Sequence, residues 1–356
     1  MDTRACNNSD DSPTSFYLMG IPSLPESFTL PVFFTFLILY LLIVIGNILI
    51  LIAVVIDSDL HKPMYFFLTN LSALDIFFTT TTIPRMLSLF LLGDRILSFP
   101  ACFLQMYLFH GFGCGEAFIL VVMAYDRYEA ICHPLHYTVR MTPQVNAKLA
   151  VGAWLAALLL PIPAVVQSSQ MAFGTLAQVF HCFCDHLAVV QASCSDPTFQ
   201  TFLGFCCAMV VSFTPLFLVV LSYARILISI LKIGSKEGRS KAFSTCTSHL
   251  LVVGTYYTSI AVAYVAYRAD LPVDFHIMGN MVYAILTPVV NPLIYTLRNK
   301  DVKTAITKFM SQNLSCPGTM VSGRPGRLSY YNGILEEGLR GDLRQKLGFS
   351  KSFPVI

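Results

Sequence analysis

The stretch MAYDRYEAICHPLHY, Met123 to Tyr137, closes a long apolar run that already holds Glu116. A segment built for lipid ends here in Asp126, Arg127 and a further acid, Glu129. Charge near a bilayer is costly and is usually kept for function. What surrounds the stretch decides the fold.

The chain has 356 residues, 55% of them hydrophobic and only 12% charged. A soluble domain of that composition could not hide its apolar side chains, so a membrane protein is expected. The net charge of +3 is too small to suggest a nucleic-acid partner. Seven apolar runs exceed or approach the roughly 20 residues that span a bilayer: Phe28–Ile56, Met64–Leu91, Phe99–Cys132, Leu149–Val166, Phe199–Leu231, Ala242–Tyr267 and Phe275–Leu297. Period-2 alternation in short segments is absent, which argues against a barrel. Pro84, Pro161, Pro163, Pro215, Pro288 and Pro292 fall inside the runs and mark expected bends.

Basic residues set the orientation. Lys62, Arg140, Lys148, Lys232, Lys236, Arg239, Lys241, Arg298, Lys300 and Lys303 fall on one side of the seven spans, against Arg4, Arg95 and Arg268 on the other. Positive charge stays inside, so the N-terminus, residues 1–27, is expected outside the cell and the C-terminus in the cytosol. No cleaved signal peptide is apparent in 1–27. Asn7 heads an exterior glycosylation sequon, whereas the sequons at Asn70, inside span two, and Asn313, in the cytosol, should be unused. After the spanning region, 28–298, Val302, Ala305, Ile306, Phe309 and Met310 recur at helical spacing among lysines. That predicts a short amphipathic helix over 299–310 on the inner membrane surface. Residues 311–356 lose periodicity and read as a disordered tail.

Gly46-Asn47, the LSALD stretch ending in Asp75, Asp126-Arg127-Tyr128 and Asn291-Pro292-Leu293-Ile294-Tyr295 resemble rhodopsin-like G-protein-coupled receptors. PMYFFLTNLS (Pro63–Ser72), MAYDRYEAICHPLHY, SKAFSTCTSHL (Ser240–Leu250) and NPLIYTLRNK (Asn291–Lys300) narrow the resemblance to olfactory receptors of the tetrapod class, close to family 2. The resemblance implies an all-α membrane protein, a rhodopsin-like seven-transmembrane helix bundle with a short amphipathic cytosolic helix. It implies a multi-pass receptor of the plasma membrane, not an enzyme. It would bind a small hydrophobic odorant and activate a heterotrimeric G protein of the olfactory, stimulatory type, raising cAMP.

The resemblance also assigns roles. Arg127 pairs with Asp126 at rest and is released to the G protein on activation, with Tyr128, Asn291, Pro292 and Tyr295 completing the switch. The residue-level alternative for these charges is snorkelling at the membrane interface. Asp75 and Glu116 are the acids deepest in the membrane. With Asn291 they would form a sodium site, or else a protonated, hydrogen-bonded pair without an ion. Otherwise no cofactor is expected. Cys102 and Cys184 match the superfamily's disulfide. A second loop pair is usual in the family, but Gly174 stands at one expected position. Cys194 is thus left to pair with Cys182 or to remain a free thiol.

The family's pocket maps onto Phe109, His110, Phe112, Gly113 and Cys114 of span three, Phe205 and Cys206 of span five, and Tyr256, Tyr257, Ser259 and Ile260 of span six. Such a wall suits a small neutral ligand. Phe109 stands where amine receptors place an acid. Taken singly, each aromatic could equally be helix packing. The HCFCDH stretch, His181–His186, could suggest copper or zinc, but a disulfide at Cys184 leaves too few ligands. His133 and His136 are read as packing residues. No internal repeat supports a transporter, and no H-E-x-x-H or nucleophile–base motif supports an intramembrane enzyme. A peptide or amine receptor is the nearest alternative. The family's usual residue at Glu129 is valine. At about 100° per residue, Glu129 lies about 200° from Arg127 and is expected to face outward, near lipid headgroups.

Overall fold

The computed structural model describes residues 15–268 and 271–314. The expected glycosylation site Asn7, the side chain of Asn313 and the tail from 315 lie outside the described residues. The chain divides into two units, Met1–Met310 and Ser311–Ile356; the bundle belongs to the first.

Hydropathy dictates the scaffold. Among the described residues, seven helical segments are long and apolar enough to cross a membrane. They are α1 (Glu26–Ile56), α2 (Pro63–Leu92), α3 (Phe99–Cys132), the pair α5 (Pro143–Leu159) and α6 (Ile162–Ser169), α8 (Thr198–Leu231), α9 (Lys236–Arg268) and α10 (Val273–Arg298). Three shorter α-helices, the one-turn α4 (Tyr137–Arg140), α7 (His186–Gln191) and the terminal α11 (Lys300–Leu314), and a 3-10 turn over Ser58–Leu60 are the remaining helices of the described residues. Helix starts run a few residues beyond the apolar runs, because polar caps and first turns are not apolar. Thr142, for example, caps α5 by accepting from the Val145 amide at 3.3 Å. Pro161 separates α5 from α6, whereas Pro84, Pro215, Pro288 and Pro292 lie within continuous helices. Gly93, with φ +65, ends α2 in the left-handed region that glycine adopts without strain.

The central element is α3, which packs against α2, α5, α8 and α9. Its middle is buried on nearly every side, from Gly111 through Ala117. On another flank Gly46 lets α1 approach α10: an added Cβ would sit 3.1 Å from Pro292 Cβ.

One end of the bundle carries a small sheet that composition does not announce. The strands are β1 (Ser15–Leu18), β2 (Ile96–Ser98) and β3 (Leu176–Val179), in the order β2-β1-β3. β1 runs antiparallel to β2, with Phe16 opposite Leu97, and parallel to β3, with Phe16 opposite Ala177. Phe16 is fully buried among the rings of Phe99, Phe103 and Phe173. Arg95 donates to the Met19 carbonyl at 2.6 Å. Arg85 of α2 clamps Asp94 and donates to the Ile96 carbonyl at 2.7 Å. The N-terminal segment is thereby woven into a cap over this end.

At the far end α11 is tied to α2. Tyr65 donates to the Asp301 carboxylate at 2.9 Å and accepts from Asn299 at 3.3 Å. Val302 and Ala305 are buried, Ile306 and Phe309 half-buried, and Met310 and Lys303 exposed, so the first part of the expected amphipathic face packs on the bundle.

Candidate functional site

Beneath the cap, four helices and a loop bring aromatic side chains together. Phe109 of α3 stacks on Phe78 of α2 at 4.8 Å and lies 5.0 Å from Phe183, in the loop that leads from β3 to α7. Tyr283 of α10 sets its ring edge-on to both Phe78 and Phe109, at 5.4 and 5.9 Å. Tyr256 of α9 donates to the Gly113 carbonyl at 2.9 Å. Gly113 is needed here: a Cβ would overlap the Tyr283 hydroxyl. Ser259 donates to the Tyr256 carbonyl at 2.7 Å and lies 3.2 Å from Thr287. Its hydroxyl therefore already has partners, and Ser259 is fully buried. Two polar atoms differ. The Tyr257 hydroxyl and Nε2 of His110 are buried without hydrogen-bond partners, the condition a bound polar group would relieve.

The structure therefore gathers Phe109, His110, Gly113, Tyr256 and Ser259 with their neighbours. It does not bring Phe112 to this group, because that ring packs against Phe77 and Trp154 on the α2/α5 side. Cys114 is buried, and Phe205, Cys206 and Ile260 are half-buried. Sequence reasoning missed Phe78, Phe183, Tyr283 and Thr287. An aromatic or hydroxyl in an apolar run carries no mark of the direction it faces.

The loop over this group is pinned by the Cys102–Cys184 disulfide. Gln105 of α3 accepts from the Cys184 amide at 2.9 Å and donates to the Thr81 carbonyl at 2.8 Å. Cys194 is disulfide-bonded too, while Cys182 is a buried free thiol. The alternatives left for Cys194, a free thiol or a bridge to Cys182, are both corrected. Burial raises the Cys182 thiol pKa, opposed by the Arg95 charge. The HCFCDH side chains go to separate partners: Nδ1 of His181 accepts from the Phe183 amide at 3.3 Å, its Nε2 lies 3.3 Å from Asn280, and Nε2 of His186 lies 3.0 Å from Ser168. Gly204 of α8 makes room for the His186 ring, since a Cβ would stand 2.6 Å from Cε1.

In mid-bundle Asn291 donates to both Asp75 oxygens at 3.1 Å. Asn47 and Glu116 lie close enough to interact with the same carboxyl group. Both Glu116 oxygens, Asn47 Oδ1 and Asn291 Oδ1 are buried without partners. This cluster of orphaned oxygens fits a hard cation such as sodium, and equally a proton shared between the acids.

At the far end two expectations fail. Asp126 accepts from Tyr137 of α4 at 2.7 Å, and the ion pairs among the described residues do not include Asp126–Arg127. The phenol takes the direct hydrogen bond to the carboxylate, and the Arg127 charge reaches Asp126 as well as Tyr223, His249 and Tyr295. Glu129 does not face lipid. It is 2% exposed and accepts from Arg140 at 3.0 Å, with Nδ1 of His133 3.3 Å away. The surroundings differ from those expected because α4 covers that side of α3. His133 is accordingly more than packing, although His136 is exposed. Tyr128 meets the His133 ring edge-on at 5.2 Å, and Tyr295 is fully buried in α10. His249, which sequence reasoning passed over, joins three helices: it lies 2.8 Å from the Tyr223 hydroxyl and 3.0 Å from the Leu120 carbonyl. A carbonyl only accepts, so Nε2 carries the proton and Nδ1 accepts from Tyr223.

This architecture is a seven-helix receptor fold. It superposes on squid rhodopsin with a TM-score of 0.67 at 17% identity, covering 82% of this chain and 83% of that one. The family model for olfactory receptors matches residues 36–313. Human olfactory receptor 2AT4 is 74% identical over 316 residues, 89% of this chain and 99% of that protein. Human olfactory receptor 1M1 is 40% identical over 305 residues, 85% and 97% of the two chains. The chain belongs to the olfactory receptor family: an odorant receptor of the G-protein-coupled class, a multi-pass membrane protein and not an enzyme.

Proposed function

We propose that the chain binds small, neutral, largely hydrocarbon odorants beneath the cap and couples to a stimulatory G protein, raising cAMP. The cap end faces the exterior and the α4 and α11 end faces the cytosol, as the distribution of Lys and Arg supports. The observation that carries the ligand reading is the aromatic group around Phe109, with two unpartnered polar atoms, Tyr257 Oη and His110 Nε2. The carboxylates whose charge reaches the group, Asp185 at His110 and Glu116 at Tyr256 and Tyr283, lie outside its ring contacts, so a charged amine would lose its hydration without a counter-ion among the rings. An odorant with one carbonyl or hydroxyl would use those two atoms and bury the rest of its surface against the rings. The mid-bundle oxygens of Asp75, Glu116, Asn47 and Asn291 would hold a sodium ion as a structural counter-charge. Ligand binding would be transmitted through α9 and α10 to Arg127, Tyr223, His249 and Tyr295. The test is cAMP in cells expressing the chain and exposed to an odorant panel, with an Arg127→Ala chain as control. A charged amine or dicarboxylate as the most potent agonist would overturn the ligand reading.

A further inference from the structure

Asp126 and Glu129 are three residues apart on α3, a spacing that puts them on one helix face. Tyr137 and Arg140 have the same spacing on α4. The two pairs meet: Tyr137 donates to Asp126 at 2.7 Å, and Nη1 of Arg140 donates to both Glu129 oxygens, at 3.0 and 3.3 Å. One helical turn is thus registered against another by two charge-assisted bonds.

The turn depends on them. A helix of four residues, Tyr137–Arg140, cannot hold its shape alone, since nucleation is unfavourable. None of its residues is fully buried, and only Tyr137 packs, half-buried, against the core. His133 and Tyr125 also approach the Glu129 carboxylate, but both lie on α3 or its immediate end, and the hydrogen bonds that Glu129 accepts from α4 come from Arg140. The link across to α4 at this point is Arg140. A valine at this place would leave Tyr137 as the remaining side-chain tie.

We infer that Glu129 and Arg140 form the second half of a two-point clasp that positions the second cytosolic loop for its G protein. The inference rests on the coupling and orientation proposed above. Glu129 acts through α4 and is a positioning residue. Its carboxylate is nearly inaccessible, with 3% of the side chain exposed, whereas Arg140 is 47% exposed. An acid buried so deeply without Arg140 would lose most of its stabilisation.

Hydrogen exchange on the full chain in lipid nanodiscs, with no ligand added, tests the clasp. The Val139 and Arg140 amides bond to the His136 carbonyl, and the Met141 amide bonds to that of Tyr137. In Glu129→Gln and in Arg140→Gln these amides should exchange on the order of tenfold faster, while peptides from α5 stay unchanged. Arg140→Gln alters a half-exposed side chain, so it reports even if Glu129→Gln folds poorly. The charge-reversed pair Glu129→Arg with Arg140→Glu should return exchange toward that of the parent chain. Unchanged exchange in Arg140→Gln refutes the clasp. Recruitment of a purified stimulatory heterotrimer is read on the same samples and should fall in both single variants. Faster exchange with full recruitment overturns the positioning role. Faster exchange with no recruitment even by the parent chain overturns the coupling reading and leaves the clasp standing.

Discussion

Tyr256 of α9 donates its hydroxyl hydrogen to the carbonyl of Gly113 on α3, 2.9 Å away, at a point where both residues are buried. The glycine is the meeting place of three helices, because the Tyr283 hydroxyl of α10 occupies the space that a side chain would need.

Gly113→Ala should therefore strain the bundle, by about 1–3 kcal/mol if it behaves like other overpacked cores. Tyr283→Phe removes the clashing oxygen and should recover part of that loss. Thermal unfolding of both variants in nanodiscs measures it. A Gly113→Ala chain as stable as its parent would show that α3 and α10 are looser here than the geometry states.

The second prediction concerns Asp75 and Glu116. If sodium joins the partnerless oxygens of Glu116, Asn47 and Asn291, sodium chloride should raise the melting temperature where choline chloride at equal ionic strength does not. About 1 kcal/mol of linkage corresponds to roughly 2–4 °C. Glu116→Gln should abolish the difference. Equal melting in both salts would instead favour a shared proton.

The cap makes a third. Replacing Cys102 or Cys184 by serine should cost about 2–5 kcal/mol, and the double replacement should be no worse. Cys182→Ser should spare the fold, because its thiol is free. Alkylation of the chain unfolded without reductant, followed by non-reducing peptide mapping, should label Cys182 and leave Cys194 unlabelled. A labelled Cys194 would contradict its disulfide.

The seven spans were legible because burial in lipid imposes long apolar runs, and the disulfide was legible from the family motif. The sheet was not. Its strands have three or four residues, and their pairing joins Phe16 to Leu97 and Ala177 across long stretches of chain. The pocket list suffered from a related limit. Hydropathy says that Phe112 and Tyr283 are both apolar enough for a span, but not that one turns to Trp154 and the other to Gly113. Glu129 shows the limit most sharply. Its angle on α3 could be computed from sequence, whereas the loop helix covering that angle could not.

The last prediction is a pH dependence of the cap. Burial, and then the neighbouring His110, hold the His186 imidazole at about 4 against an ordinary 6.5, with Asp185 pulling the other way. The lowered value means that the unfolded chain takes up the proton first. Stability from this group is thus complete above about pH 6.5 and declines as pH falls from there toward about 4. At pH 5.5 the loss should be on the order of 1 kcal/mol. His181 is shifted the same way by burial and adds to the effect. Asp94, held below its ordinary 3.8 by Arg85, titrates lower and stays outside this window. In nanodiscs, taking the parent chain from pH 7.4 to pH 5.5 should lower its melting temperature by roughly 2–4 °C. His186→Asn keeps a polar partner for Ser168 and cannot titrate, so it should lose clearly less on the same change. An acid-induced drop equal in the two chains would mean that His186 is not the group responsible.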